Sequence, residues 1–230
     1  MLTVRQVRRF QVDHGIRNTG QVGPLTWPVL LGGGARAAPA TQAGGVVYLT
    51  FDDGPTPAYT PRILGLLARH RARATFFVVG RSAVAYPTLV RREFAAGHGV
   101  GNHTFTHASL SGLGGRRLER EVGNTSRAIR RATGAPARCL RPPYGAIDMA
   151  SARRVGAFSL RVVTWSLDSN DWRGLRAGAI AARVLGRVRS GDVVLMHDGG
   201  GNRAQTVAAL GTVLASLSAR GFRFAALCRG

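Results

Sequence analysis

The chain has 230 residues and 45% hydrophobic side chains, enough for one full-sized core and a small appendage but not for two large domains. Its formal net charge is +21 and all 32 basic residues are arginine, a bias that a GC-rich coding sequence produces and that is no sign of nucleic-acid binding in itself. No run of five basic residues occurs and no aromatics interleave with the arginines, which argues against a base-stacking surface and leaves adhesion to an anionic wall polymer as the reading of the charge.

The start, Met1 to Gln6, lacks the apolar core and cleavage site of a signal peptide, and nowhere does an apolar run approach the ~20 residues of a membrane span. Taken literally that start is cytosolic; the alternative is a chain beginning inside a longer precursor. Within residues 1–31, Val4, Val7, Phe10 and Gln11 share one helical face, and Val22 to Trp27 turns into a second short helix with Pro24 at its start. Such a segment is too small to be stable alone, so it either docks on the remainder or lacks a helix. Residues 32–44 are small and turn-rich and read as a linker.

From 45 to 230, apolar strand-like runs alternate with helical patterns, which predicts an α/β layer or barrel. Seven strands are expected, at Val46–Phe51, Ala74–Val79, Gly97–Asn102, Cys139–Arg141, Leu160–Leu167, Val193–Met196 and Phe222–Leu227. Helical spacing places helices at Thr60–His70, Ser82–Ala96, Leu118–Ala132, Met149–Val155, Gly178–Val188 and Gln205–Ala219. The two cysteines, Cys139 and Cys228, leave two readings open: one bridge tying the last strand to a neighbour in an oxidising compartment, or two buried thiols.

Six of the eleven acidic residues fall in three short stretches, at 52–53, 168–171 and 192–198. The polar motifs follow strands: Asp52 and Asp53 the first, His103 the third, Arg141 to Tyr144 the fourth, Asp168 to Trp172 the fifth and His197 the sixth. Parallel α/β sheets and barrels gather their sites at these carboxyl ends. Asp53-Gly54-Pro55 alone reads as a turn. His103 and His107, four apart on a helical turn or tight loop, change that: with Asp53 they make a three-ligand site for zinc, cobalt or nickel with an open position for water. Asp52, beside the ligand, suits a general base. His197 suits a general acid if a carboxylate keeps it charged, and both Asp168 and Asp171 are candidates. Arg141 offers a cation for Asp52, and the Pro142-Pro143 turn fixes where the Tyr144 amide points, as an oxyanion donor requires. Tyr144 and Trp172 are either walls for a sugar ring or core packing. Asp198 reads as a loop cap.

Together, Thr50-Phe51-Asp52-Asp53-Gly54, His103-Thr104-Phe105-Thr106-His107, Arg141-Pro142-Pro143-Tyr144-Gly145, Asp168-Ser169-Asn170-Asp171-Trp172 and Leu195-Met196-His197 closely resemble the motifs of NodB-type polysaccharide deacetylases, carbohydrate esterase family 4, in family order. The resemblance implies a deformed (β/α) barrel that removes acetyl groups from N- or O-acetylated sugars. It implies Asp52 as base, Asp53, His103 and His107 as metal ligands and His197 as acid. Arg141 would tether the base, the Tyr144 amide would form the oxyanion hole, Asp168 or Asp171 would tune His197, and Tyr144, Trp172 and Leu195 would meet the substrate. The stretch from Val4 to Leu31 resembles the second half of a three-helix peptidoglycan-binding module. These resemblances imply a secreted or wall-associated, zinc-dependent enzyme, expected as a monomer, acting on peptidoglycan. Chitin oligomers and acetylated xylan are alternative substrates, and a non-catalytic wall-binding protein is the rival of another class.

Overall fold

The computed structural model describes residues 44–228 and, outside that span, Arg9. Apart from Arg9, the expected N-terminal module, 1–31, lies outside the described residues, as does all but the last residue of the linker, 32–44.

Strand β1 (Val46–Asp52) is central, between β2 (Ala74–Val78) and β7 (Val193–His197). From β2 the sheet continues through β3 (Gly99–Asn102) and β4 (Cys139–Leu140) to β5 (Arg161–Val162). From β7 it ends at β6 (Leu167–Asp168), and β8 (Arg223–Phe224) lies along the start of β1. All pairings are parallel. Parallel strands covered on both faces are apolar throughout, and every residue of β2 is buried.

Alternation along the strands sorts side chains into two layers. Phe76 and Val78 join the large core under the helices, whereas Phe77 between them packs inside the curl with Cys139 and Val163. The disulfide between Cys139 and Cys228, Cα atoms 5.7 Å apart, pins the C-terminal segment to this inner cluster. Leu227 exchanges two hydrogen bonds with Thr75 Oγ1 (2.8 and 3.2 Å) and covers the end of the curl away from the strands' carboxyl ends.

The expected strand Leu160–Leu167 is two strands at opposite edges of the sheet. Val163 N–H still bonds Leu140 O at 2.8 Å and Ser166 N–H already bonds Val193 O at 3.0 Å, so Thr164 and Trp165 alone cross from one edge to the other. This short crossing is why the sheet must curl into a deformed (β/α) barrel.

The helices are α1 (Thr60–Arg69), α2 (Gly80–Ala85), α3 (Pro87–Ala95), α4 (Gly115–Thr133), α5 (Met149–Gly156), α6 (Ala177–Leu185) and α7 (Ala204–Ala219). The expected helix over 82–96 breaks in two at Pro87, which takes Tyr86 out of the helical region (φ −129°, ψ 55°). Helix α4 stops at Gly134, whose φ of 77° suits a residue without a side chain. No helix among the described residues is long and apolar enough to cross a membrane.

Candidate active site

Strands β1 and β7 run in register with Asp52 opposite His197, so their carboxyl ends open on one face. Asp52 ends β1, and Asp53 in regular extension would point to the opposite side of the strand. Its left-handed backbone (φ 74°) swings it back, and both carboxylates reach His103: Nε2 is 3.4 Å from Asp53 Oδ1 and 3.7 Å from Asp52 Oδ2. Room for this turn comes from glycine. A side chain on Gly54 would collide with the Asp198 carboxylate, and one on Gly200 with that of Asp53.

His103 and His107 sit on a loop after β3, the tighter of the two expected geometries. His107 Nε2 is 3.0 Å from Asp53 Oδ1, and the three ligand atoms of Asp53, His103 and His107 lie within 4.8 Å of one another. Asp53 Oδ1 is buried without a hydrogen bond although both imidazoles face it. His103 Nδ1 lies 2.7 Å from Arg141 O, a carbonyl that only accepts, so Nδ1 carries the proton and neutral Nε2 presents a lone pair. A lone pair facing a carboxylate oxygen is repulsive unless a cation lies between them. The donor set therefore fits a divalent metal ion, with the tautomer of one ligand fixed by a backbone carbonyl. Burial pulls the Asp53 pKa up, but its contacts to His103 and His107 and the nearby charge of His197 outweigh it and hold it well below the carboxylate range.

Arg141 is fully buried inside the curl. Its Nη1 donates to Asp52 Oδ1 at 2.8 Å and to Thr50 Oγ1 at 2.7 Å, and its Nε and Nη2 donate to Val163 O and Thr164 O at 3.3 and 3.0 Å. Phe77 lies under the guanidinium, 4.2 Å from ring centroid to Cζ. The salt bridge engages one oxygen of Asp52 and leaves Oδ2 facing His103.

On the other side, His197 Nδ1 lies 2.7 Å from Asp171 Oδ1. Burial lowers the His197 pKa, but this hydrogen bond and the charges of Asp171, Asp52 and Asp53 more than reverse the effect and leave it raised. Of the two candidate aspartates, Asp171 is the one that reaches His197. Asp168 instead accepts from Asn170 N–H at 2.7 Å and Trp172 Nε1 at 3.3 Å, folding its own loop.

Tyr144 (φ 60°) is 74% exposed and Trp172 49% exposed, so both stand at the rim rather than in the core. The Tyr144 hydroxyl is 3.2 Å from His107 Nδ1, and Arg173 lies over the Trp172 ring. Leu195 is buried, two positions before His197 on the same face of β7, and forms floor rather than wall. Asp198 is more than a loop cap. It is buried, it accepts from Thr60 Oγ1, and burial together with the nearby Asp53 and Asp52 charges pushes its pKa up to about 7.

Thr50, inside the first motif but given no role there, accepts a hydrogen bond from Arg141 Nη1 at 2.7 Å. Other supporting side chains had no signal in the sequence: Thr206 Oγ1 donates to Asp171 Oδ2 at 2.8 Å. Glu121, one of two acids in an arginine-rich helix, accepts hydrogen bonds from the His103–His107 loop.

This fold and side-chain set are those of a carbohydrate-active hydrolase. The profile of the polysaccharide deacetylase family matches residues 40–163, and the chain belongs to that family. It is similar to a chitooligosaccharide deacetylase of Sinorhizobium fredii, 44% identical over 81% of this chain and 93% of the relative. A peptidoglycan-N-acetylglucosamine deacetylase of Listeria monocytogenes is 37% identical over 81% of this chain but 39% of its own length. Among solved structures, a peptidoglycan N-acetylglucosamine deacetylase superposes with a TM-score of 0.78 at 34% identity, covering 82% of this chain and 88% of the other. A family 4 carbohydrate esterase from Streptomyces lividans gives 0.74 at 36% identity, covering 80% and 93%.

Proposed function

We propose that this chain is a divalent-metal-dependent N-deacetylase of glycans containing N-acetylglucosamine, with peptidoglycan as its first substrate. The observation that carries the reading is the convergence of Asp53, His103 and His107 around a buried, unbonded carboxylate oxygen, flanked by Asp52 with Arg141 on one side and His197 with Asp171 on the other.

Asp53, His103 and His107 hold the ion, zinc in preference to cobalt or nickel, which when bound acidifies water and polarises the acetyl carbonyl. Asp52, anchored through Oδ1, uses Oδ2 to take a proton from the attacking water. The Tyr144 N–H, fixed by the Pro142-Pro143 turn, donates to the developing oxyanion. Asp171 holds His197 Nδ1, leaving Nε2 to deliver a proton to the departing nitrogen. A C–O bond forms, the amide C–N bond breaks, and acetate and a free amine leave. Trp172 and Tyr144 flank the sugar.

Chitin oligomers are a second reading, supported by the likeness to the S. fredii enzyme, which this chain covers nearly end to end. The division into a wall-binding helical segment (1–31), a linker (32–44) and a catalytic domain (45–230) belongs to the same proposal, supported by the peptidoglycan-binding resemblance and the high positive charge. Placement outside the cytoplasm is supported by the disulfide, a feature of oxidising compartments.

The same fold also carries a Bacillus anthracis protein described as a pseudoenzyme, at a TM-score of 0.73 and 28% identity, so acetate release itself is the test. Metal-stripped and zinc-restored protein is incubated with peptidoglycan fragments, chitin oligomers and acetylated xylan. Zinc-dependent release from peptidoglycan supports the proposal, and release from another glycan alone reassigns the substrate. Wall retention with no release from any of them would leave the non-catalytic binder.

A further inference from the structure

The loop that joins His103 to His107 holds two non-glycine residues in the left-handed region, Thr104 (φ 61°) and His107 (φ 63°). Such a backbone persists only where its surroundings fix it. Its polar groups are taken from two sides. Gly80 N–H and Arg81 N–H, at the start of α2, donate to Thr104 O and Phe105 O at 2.9 and 3.0 Å. Asn102 Oδ1 accepts Thr104 N–H at 2.9 Å, while its amide donates to Val122 O and Ser126 Oγ on α4. Glu121 on α4 takes the rest. Its Oε2 accepts both Phe105 N–H and Thr106 N–H at 2.8 Å, and its Oε1 accepts Thr106 Oγ1 at 2.8 Å. Its residue is 7% exposed, a degree of burial that a carboxylate tolerates only where donors replace its water.

We propose that Glu121 is a positioning residue, one that fixes the backbone of the 103–107 loop so that the His103 and His107 imidazoles converge on Asp53. It touches neither imidazole and acts through the main chain between them. The proposal rests on the reading that these three side chains hold the metal.

The test uses zinc affinity of the metal-stripped chain, read by competition with a chromophoric chelator, and the visible absorption of the cobalt(II)-loaded protein. Glu121→Leu keeps the bulk but takes the acceptor away from the Phe105 and Thr106 N–H groups. It is expected to weaken zinc binding by about 10–100-fold, as loss of outer-sphere support does, and to shift the cobalt bands. Glu121→Gln is expected to stay near the wild type, because its amide oxygen takes both N–H groups and its NH2 reaches Thr106 Oγ1. Wild-type affinity and an unchanged cobalt spectrum in Glu121→Leu overturn the proposal. Glu121→Gln binding as weakly as Glu121→Leu also overturns it, since charge and not loop geometry then carries the effect. Should Glu121→Leu fail to fold, Thr106→Val, which removes the hydroxyl bond alone, decides on the same readouts: weaker binding supports the proposal and wild-type binding overturns it. A wild-type chain that takes up no zinc overturns the metal-site reading and this proposal together; one that binds while Glu121→Leu matches it overturns this proposal alone.

Discussion

Asp171 grips His197 by two of its atoms at once: Oδ1 meets the ring at Nδ1 (2.7 Å) and Oδ2 receives the backbone N–H (2.8 Å). The imidazole therefore has neither freedom to rotate nor a choice of which nitrogen faces the site. The first prediction follows from its raised pKa. A general acid works only while protonated, so the alkaline limb of kcat/KM lies above the ordinary imidazole value of 6.5. In Asp171→Asn burial is no longer opposed by that charge, the limb moves to lower pH, and the rate falls by about 10²-fold or more. A pH profile of the zinc-loaded protein checks this, and an unmoved limb refutes it. The same pair stabilises the fold between two limits. Its contribution is lost as pH rises through the raised pKa of His197 and as pH falls through the lowered pKa of Asp171.

Arg141 and Asp52 form a buried ion pair, and removing one partner strands the other. Arg141→Met is expected to cost about 3–5 kcal/mol in urea unfolding. Asp52→Asn is expected to cost less stability but to abolish acetate release while zinc uptake persists. The double variant should be more stable than Arg141→Met alone; additive losses would mean that the pair is not coupled in the folded chain.

Asp198 carries a stability cost that pH exposes. Its folded pKa of about 7 lies above the ordinary 3.8, so within that interval the folded chain holds a proton that the unfolded chain releases, and stability declines as pH rises. For the metal-stripped protein, Asp198→Asn should flatten this decline and gain about 2–4 kcal/mol over the wild type at pH 8. Parallel curves for the two proteins would show that Asp198 ionises normally.

The disulfide spans a sequence separation of 89 residues. Reduction, or Cys228→Ser, should lower stability by about 2–5 kcal/mol. Thiol titration of the unfolded, unreduced chain should find no free cysteine.

The parts of this fold that showed in the sequence are those set by local pattern. Val46–Phe51 and Ala74–Val79 are continuous apolar runs of strand length, and the first of them leads directly into Asp52 and Asp53. Pro87 carried its own warning inside the helix expected over 82–96. Residues 160–167 gave no such sign. Thr164 and Trp165 are as apt for a strand as their neighbours, and they leave the sheet because its two edges must be joined, a fact about the whole barrel. Asp168 and Asp171 are equally spaced from any signal that favours one. The choice falls to Asn170 N–H and Trp172, which draw Asp168 into its own loop, and to Thr206 on a helix over thirty residues away, which steadies Asp171. Glu121 was hidden for a simpler reason: on a helix, an acid among arginines looks like a solvated face.

The crossing at Thr164 and Trp165 makes the closure of this barrel covalent where a regular barrel would close by a ladder of hydrogen bonds. New chain termini opened between those two residues would leave every strand pair intact and both sheet edges free. The one guanidinium that grips Val163 O and Thr164 O would then still tie the β5 edge to Asp52 at the end of the central strand, while β6 at the other edge would lie outside its reach. A circular permutant cut there would separate two duties of the native chain: closing the sheet, which falls to the crossing, and keeping the Asp52 carboxylate in place, which falls to Arg141.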